Sequence, residues 1–212
     1  MNRGLAEIAT DERAPLVARG RRLEYFTIIW NCLECLVAIG SGLVAGSIAL
    51  VGFGFDSLIE SSSGGVLLWR LRDGEKGEAR ERLALEFVGI SFLLLAAYVA
   101  FDAVKSLVER EPTKASYVGI ALAVLSLIVM PLLARKKREV AALLNSRALQ
   151  ADSRQTDICA YLSAILVSGL LLNAFFGWWW ADPVAALVMI PIIAKEGVEA
   201  LKGETCSDCS CH

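Results

Sequence analysis

Histidine is almost absent from this chain: there is one in 212 residues, and it is His212 at the very end. No interior site can therefore be built on imidazole, either as a proton-shuttling base or as a nitrogen-rich metal centre. Charge is missing from two long runs, residues 115–134 and 158–181. Each is long enough to cross about 30 Å of hydrocarbon at about 1.5 Å per residue, which excludes an ordinary soluble domain. The first twenty or so residues contain no short apolar core with a cleavage site, so no removable signal peptide is expected. There is no internal repeat, no phosphate-cradling loop and no nucleophile paired with a base, so an integral-membrane enzyme is not expected. The basic residues come with no nucleic-acid motif, so no nucleic-acid partner is expected.

What is present is apolar: 56% hydrophobic residues and a mean hydropathy of +0.54. Residues 83–108 make a third span if Glu86 and Asp102 face protein or the interface. The uncharged stretch Cys35–Phe55, broken by Gly40, Gly42 and Gly46, reads as two helix ends joined by a tight turn near Ala45-Gly46-Ser47. The expected fold is an all-α integral membrane protein with six transmembrane helices, roughly 24–44, 47–69, 83–108, 115–134, 143–176 and 182–201. Pro183 fits the first turn of helix six behind an Asp182 cap, and Trp178, Trp179 and Trp180 suit an interfacial aromatic belt. The expected domains are an N-terminal segment 1–23, a membrane domain 24–202 and a Cys-rich tail 203–212.

A net charge of −2 conceals a strong asymmetry. Arg3, Arg13, Arg19, Arg21 and Arg22 precede helix one. Arg70, Arg72, Lys76, Arg80 and Arg82 lie between helices two and three, and Arg135, Lys136, Lys137, Arg138 and Arg147 between helices four and five. The opposite loops carry only Arg110 and Lys114. The positive-inside rule then puts both termini and both basic loops in the cytoplasm of a multi-pass cell-membrane protein, the inner membrane if the source is bacterial.

Against this background Asp56 and Glu60 stand out. From Ser47 to Trp69 they are the only charges, and a spacing of four puts both on one helical face, one turn apart. Acids in a bilayer are costly and mark an ion pathway or a partner charge. Glu34, in the middle of helix one, falls under the same rule. It is a candidate for the metal pathway, beside a Cys32–Cys35 pair that reads mainly as packing. Cys159 likewise reads as packing.

The turn Ala45-Gly46-Ser47-Ile48-Ala49-Leu50 leading to Asp56 and Glu60 resembles the second helix of the cation diffusion facilitator, or cation efflux, family. Ala148-Leu149-Gln150-Ala151-Asp152, followed by Asp157, is similar to the family's fifth helix, and Trp180-Ala181-Asp182-Pro183 to the opening of its sixth. The resemblance implies a homodimeric secondary-active exporter of divalent transition metal, exchanging it for protons through a tetrahedral site between helices two and five. Zinc is the first expectation, with cadmium, cobalt, manganese or iron as alternatives; the ion is cargo, and no cofactor is expected. Carried over, Asp56 and Glu60 are the helix-two ligands and Asp157 the last helix-five ligand.

Many relatives have a histidine four residues before that aspartate; here the position is Ser153, and counting forward from the Ala-Asp pair reaches Gln155 instead. Asp152 and Gln150 are further oxygen donors. The full expected set is therefore Asp56, Glu60, Asp157, Ser153, Asp152 and Glu34. A short member lacking the family's soluble C-terminal domain is expected. Its tail groups Cys206, Cys209, Cys211 and His212 as a flexible metal-capture tract. The alternative reading is a non-transporting membrane metal sensor or buffer that uses this tail.

Overall fold

A computed structural model describes residues 2–202 other than 74–77 and 145. Among the described residues there are six helices and no strand: α1 (Asn2–Ala45), α2 (Ile48–Asp73), α3 (Glu78–Glu109), α4 (Tyr117–Leu144), α5 (Arg147–Phe176) and α6 (Ala181–Lys202). The expected all-helical architecture is present.

Four helices contain stretches long and apolar enough to cross a membrane by length and composition: Pro15–Ala45, Glu86–Glu109, Tyr117–Leu144 and Asp152–Phe176. Only a third to a half of each apolar window is buried within the protein. Leu36, Leu43, Val44, Leu94, Phe101 and Phe175 point outward, as lipid-facing side chains of a multi-pass membrane protein do. In α2 Asp56 and Glu60 are buried by neighbouring helices, as is Asp182 in α6.

The turns follow local chemistry. Gly46, at φ +67, ends α1 in the left-handed conformation, and the Ser47 N–H returns to the Gly42 carbonyl at 2.9 Å. The Ser47 hydroxyl then caps α2 by accepting from the Leu50 N–H at 3.1 Å. Ser146 caps α5 by accepting from Leu149, and Gly177, at φ +66, closes the other end of that helix. The connections α1–α2, α3–α4 and α5–α6 meet at one end of the bundle. There Lys114 N–H donates to the Ala45 carbonyl (2.8 Å), and the Asn173 side-chain amide donates to the Thr113 carbonyl (3.0 Å).

Asp182 differs from its expected role. It lies inside the first turn of α6, fully buried, and caps a different helix. Its carboxylate accepts from the Ser47 hydroxyl at 2.5 Å and from the Ile48 and Ala49 N–H groups at 2.9 and 3.5 Å, at the N-terminus of α2. A negative charge is favoured there by the helix dipole.

The two largest shifts of helix boundary are in α1 and α4. α1 runs back to Asn2 rather than starting at 24. α4 continues ten residues beyond 134, so Arg135, Lys136, Lys137 and Arg138 are helical rather than in a loop. The reason is periodic: Met130, Leu133, Ala134, Val140 and Ala141 continue the buried face through the basic cluster.

The main core runs through all six helices around Phe53, Leu162, Leu166, Leu170 and Met189. A smaller one, Val140, Ala141 and Leu149 with Leu23 and Leu144, ties α1, α4 and α5 together at the basic end.

Candidate metal site

Small residues set the site's position by letting α1 and α2 touch backbone to backbone. A Cβ on Gly54 would lie 2.7 Å from Ile39 Cγ1 and 3.1 Å from its backbone nitrogen, and one on Gly42 would lie 3.0 Å from the Val51 nitrogen. This contact holds Glu34 of α1 against the polar face of α2. Glu34 is 11 residues before the end of α1 and Glu60 is 12 after the start of α2. Both therefore lie about 16–18 Å from the turn end, near the middle of a bilayer core of about 30 Å.

Glu34 is buried; Oε1 accepts from the Trp30 indole N–H at 2.5 Å and Oε2 from the Ser57 hydroxyl at 3.2 Å. The Ser126 hydroxyl of α4 accepts from the Ser163 hydroxyl of α5 at 3.0 Å. Asp56 is buried, and the charged groups acting on it are all acids: Glu60, Glu196 and Glu34. Glu60, 3% exposed, accepts from the Thr156 hydroxyl of α5 through Oε1 at 3.4 Å. Its Oε2 has no hydrogen-bond partner among the described residues. Asn31, one turn before Glu34 and fully buried, likewise has no partner for either amide atom among them.

Glu34, Asp56 and Glu60 therefore form one buried acidic cluster at the α1–α2–α5 junction. Among the described residues no three His, Cys, Asp or Glu groups already converge tightly enough to hold an ion. The orphaned Glu60 oxygen and the Asn31 amide are polar capacity that a cation and its waters would satisfy.

The other expected ligands are placed elsewhere. Asp157 is partly exposed and ion-paired with Arg138 of α4. Asp152 is ion-paired with Lys137 at 2.5 Å. Ser153 is buried, but its hydroxyl donates to its own helix at the Gln150 carbonyl, 2.7 Å away. Gln155 faces α2, accepting from the Ser63 hydroxyl at 3.4 Å. The tail positions Cys206, Cys209, Cys211 and His212 lie outside the described residues. Of the Cys32–Cys35 pair, Cys32 is exposed and donates weakly to Ser61 (3.8 Å), while Cys35 is buried, as a packing residue would be.

Cys159, read as packing, is 1% exposed and sits in the main apolar core, as expected. The sequence reasoning missed which face of α5 is buried, and it missed Lys137. The signal was the i, i+4, i+7, i+11 row Asp152, Thr156, Cys159, Ser163, all buried on one face of α5, from which Asp157 is rotated by one residue. Lys137, taken as a cytoplasmic loop residue, is wholly buried. Its ammonium donates to Glu24 Oε2 (3.4 Å), to Asp152 and to the Thr156 hydroxyl (3.3 Å), so it connects through Thr156 to Glu60.

Residues 25–204 match the cation efflux transmembrane domain. Among similar proteins, an uncharacterized transporter of Methanocaldococcus jannaschii is 28% identical over 80% of this chain and 62% of its own length. Transmembrane protein 163 of Xenopus laevis is 24% identical over 94% of this chain and 74% of its own. A cadmium, cobalt and zinc/H(+)-K(+) antiporter of Bacillus velezensis is 25% identical over 78% of this chain and 55% of its own. The chain thus spans less than two thirds of the length of two of these three relatives.

Proposed function

Because the chain belongs to the cation efflux family, we propose that it is a secondary-active exporter of divalent transition-metal ions, zinc first among them, driven by protons moving the opposite way. The observation that carries this reading is the buried acid cluster of Glu34, Asp56 and Glu60 at mid-bilayer depth, with one Glu60 oxygen unpartnered among the described residues. The metals named for the Bacillus antiporter support the substrate class.

Asp56 and Glu60 are the proposed central ligands, with Glu34 adding a third carboxylate from α1. Only ionised ligands bind metal, so an arriving cation releases the protons they hold, and protons arriving from the other face release the metal. Alternating exposure of the cluster to the two faces then suffices for exchange. Asp157 and Asp152 can join only if their ion pairs with Arg138 and Lys137 open. A homodimer packed through lipid-facing helices, with both basic ends in the cytoplasm, completes the proposal.

The test is metal flux into proteoliposomes under an imposed pH gradient, with zinc, cadmium, cobalt, manganese and iron offered separately. Zinc flux that follows the gradient and disappears in Asp56→Ala and in Glu60→Ala is expected, with a smaller loss in Asp157→Ala. Flux of wild-type size in Asp56→Ala would overturn the site, and gradient-independent flux would overturn the proton coupling.

A further inference from the structure

Asn31 of α1 is wholly buried, and neither its Oδ1 nor its Nδ2 has a hydrogen-bond partner among the described residues. Stranding a buried amide costs stability, and a leucine of nearly the same shape would avoid that cost. The contacts between α1 and α2 fix where the amide lies. Gly54 faces Ile39, Ser57 donates to Glu34 at 3.2 Å, Ser61 accepts from Cys32 at 3.8 Å, and a Cβ on Gly64 would lie 3.3 Å from Ile28. In this antiparallel register Asn31, between Cys32 and Ile28, is level with Glu60 and Ser61. Glu24, two turns earlier on the same stripe of α1, is enclosed by Lys137 of α4 (3.2 Å) and by α2, where a Cβ on Gly64 would lie 3.5 Å from its Oε2. Asn31 therefore also turns into the interior between α2 and α4. Glu60 reaches that interior from α2, its Oε1 accepting from Thr156 and its Oε2 without a hydrogen-bond partner among the described residues. The other buried side-chain oxygen left over among those residues, Glu24 Oε1, still has the Lys137 ammonium 3.2 Å away. An amide and a carboxylate oxygen at one level, both buried and both unpaired, leave a place for a ligand between them.

We propose that Asn31 is a ligand of the transported ion: its amide oxygen and the free oxygen of Glu60 hold the part-hydrated cation one turn to the basic-end side of Glu34. The inference rests on the transport reading above and adds to it a neutral ligand from α1. No three His, Cys, Asp or Glu groups among the described residues converge to hold an ion, so a cation at Glu60 needs neutral oxygens to complete its shell. Water and a side-chain amide carbonyl are such oxygens for divalent cations. A neutral amide also adds a contact without a further buried negative charge beside Glu34, Asp56 and Glu60. An amide kept for structure alone would be bonded to the helices around it, and this one is bonded to none of the described residues.

The experiment uses the full chain, in lipid nanodiscs for equilibrium binding and thermal unfolding and in proteoliposomes for flux. The probe is the metal alone, whichever of zinc, cadmium, cobalt, manganese and iron the wild-type chain moves fastest. Asn31→Leu keeps the volume and removes both polar atoms. Its melting temperature is expected to equal or exceed that of the wild type, while metal affinity falls by about tenfold or more and KM for flux rises with it. Asn31→Asp returns an oxygen to the same place and should recover the affinity. Asn31→Ala reads the same loss if leucine does not fit. A structural amide gives the opposite split, a lower melting temperature in Asn31→Leu with metal affinity unchanged. That split, unchanged affinity and KM in Asn31→Leu, or an equal loss of affinity in Asn31→Leu and Asn31→Asp would overturn the assignment. With Glu60→Ala still abolishing flux, the transport reading would stand. A wild-type chain that neither binds nor moves any of the five metals would overturn both.

Discussion

Replacing Lys137 by methionine tests whether the buried basic-end network holds the helices together. Lys137 is wholly buried, with its ammonium 2.5 Å from Asp152 and 3.2 Å from Glu24, a residue with no exposed surface either. Methionine keeps much of the length and volume, so little packing is lost. What is lost is the only cation paired with these two buried carboxylates among the described residues. Removing one partner of a buried ion pair costs about 3–5 kcal/mol, and two stranded acids put Lys137→Met toward the upper end of that range. For a domain of this size about 4 kcal/mol lowers the melting temperature by roughly 10 °C.

Replacing all three charges, with Glu24→Gln, Lys137→Met and Asp152→Asn together, strands none of them and should recover most of the loss, because a buried ion pair is worth little over neutral groups of the same shape. The assay is thermal unfolding in detergent or nanodiscs, followed by tryptophan fluorescence and by the fraction that remains monodisperse. A Lys137→Met melting temperature within about 2 °C of wild type would refute the reasoning, as would a triple variant no more stable than the single one.

Asp182→Ala should destabilise the protein by about 2–3 kcal/mol, because it strips a charged acceptor from Ser47, Ile48 and Ala49 at the α2 N-terminus; Asp182→Asn should lose less, and equal melting of both variants would show that the cap is idle. Gln155→His should raise zinc flux relative to manganese, since Gln155 reaches across to Ser63 of α2, whereas Ser153→His should mainly reduce folded yield in its fully buried position; the reverse pattern in the flux assay would turn the α5 face the other way.

Much of this was legible in the residues. The Gly46-Ser47 turn and the long uncharged runs are local signals, and the structure follows them. Asp56 and Glu60 were legible because two charges in an otherwise uncharged helix need a reason to be there. Lys137 was not, because inside Arg135-Lys136-Lys137-Arg138 its neighbours look alike; only the helical period carried past residue 134 distinguishes the one that turns inward. The inward face of Thr156 was hidden by Asp157, whose charge drew the register of α5. The partner that takes up that charge, Arg138, comes from α4, and no spacing within α5 shows it.

The close backbone contacts have a mechanical consequence. α1 and α2 touch at Gly42 and Gly54, and α3 and α6 at Gly89 and Gly197, where an added Cβ would meet backbone atoms at 2.8–3.1 Å. Together with α4 and α5, these are the three most extensively packed pairs of helices. α2 and α5, by contrast, meet at the acid cluster through side chains such as Glu60 and Thr156. Such an interface can slide by exchanging rotamers, whereas a backbone contact must separate to move. The acid cluster thus lies on a seam between stiff two-helix bodies, and a small shear along that seam would change what surrounds an ion while leaving each pair intact.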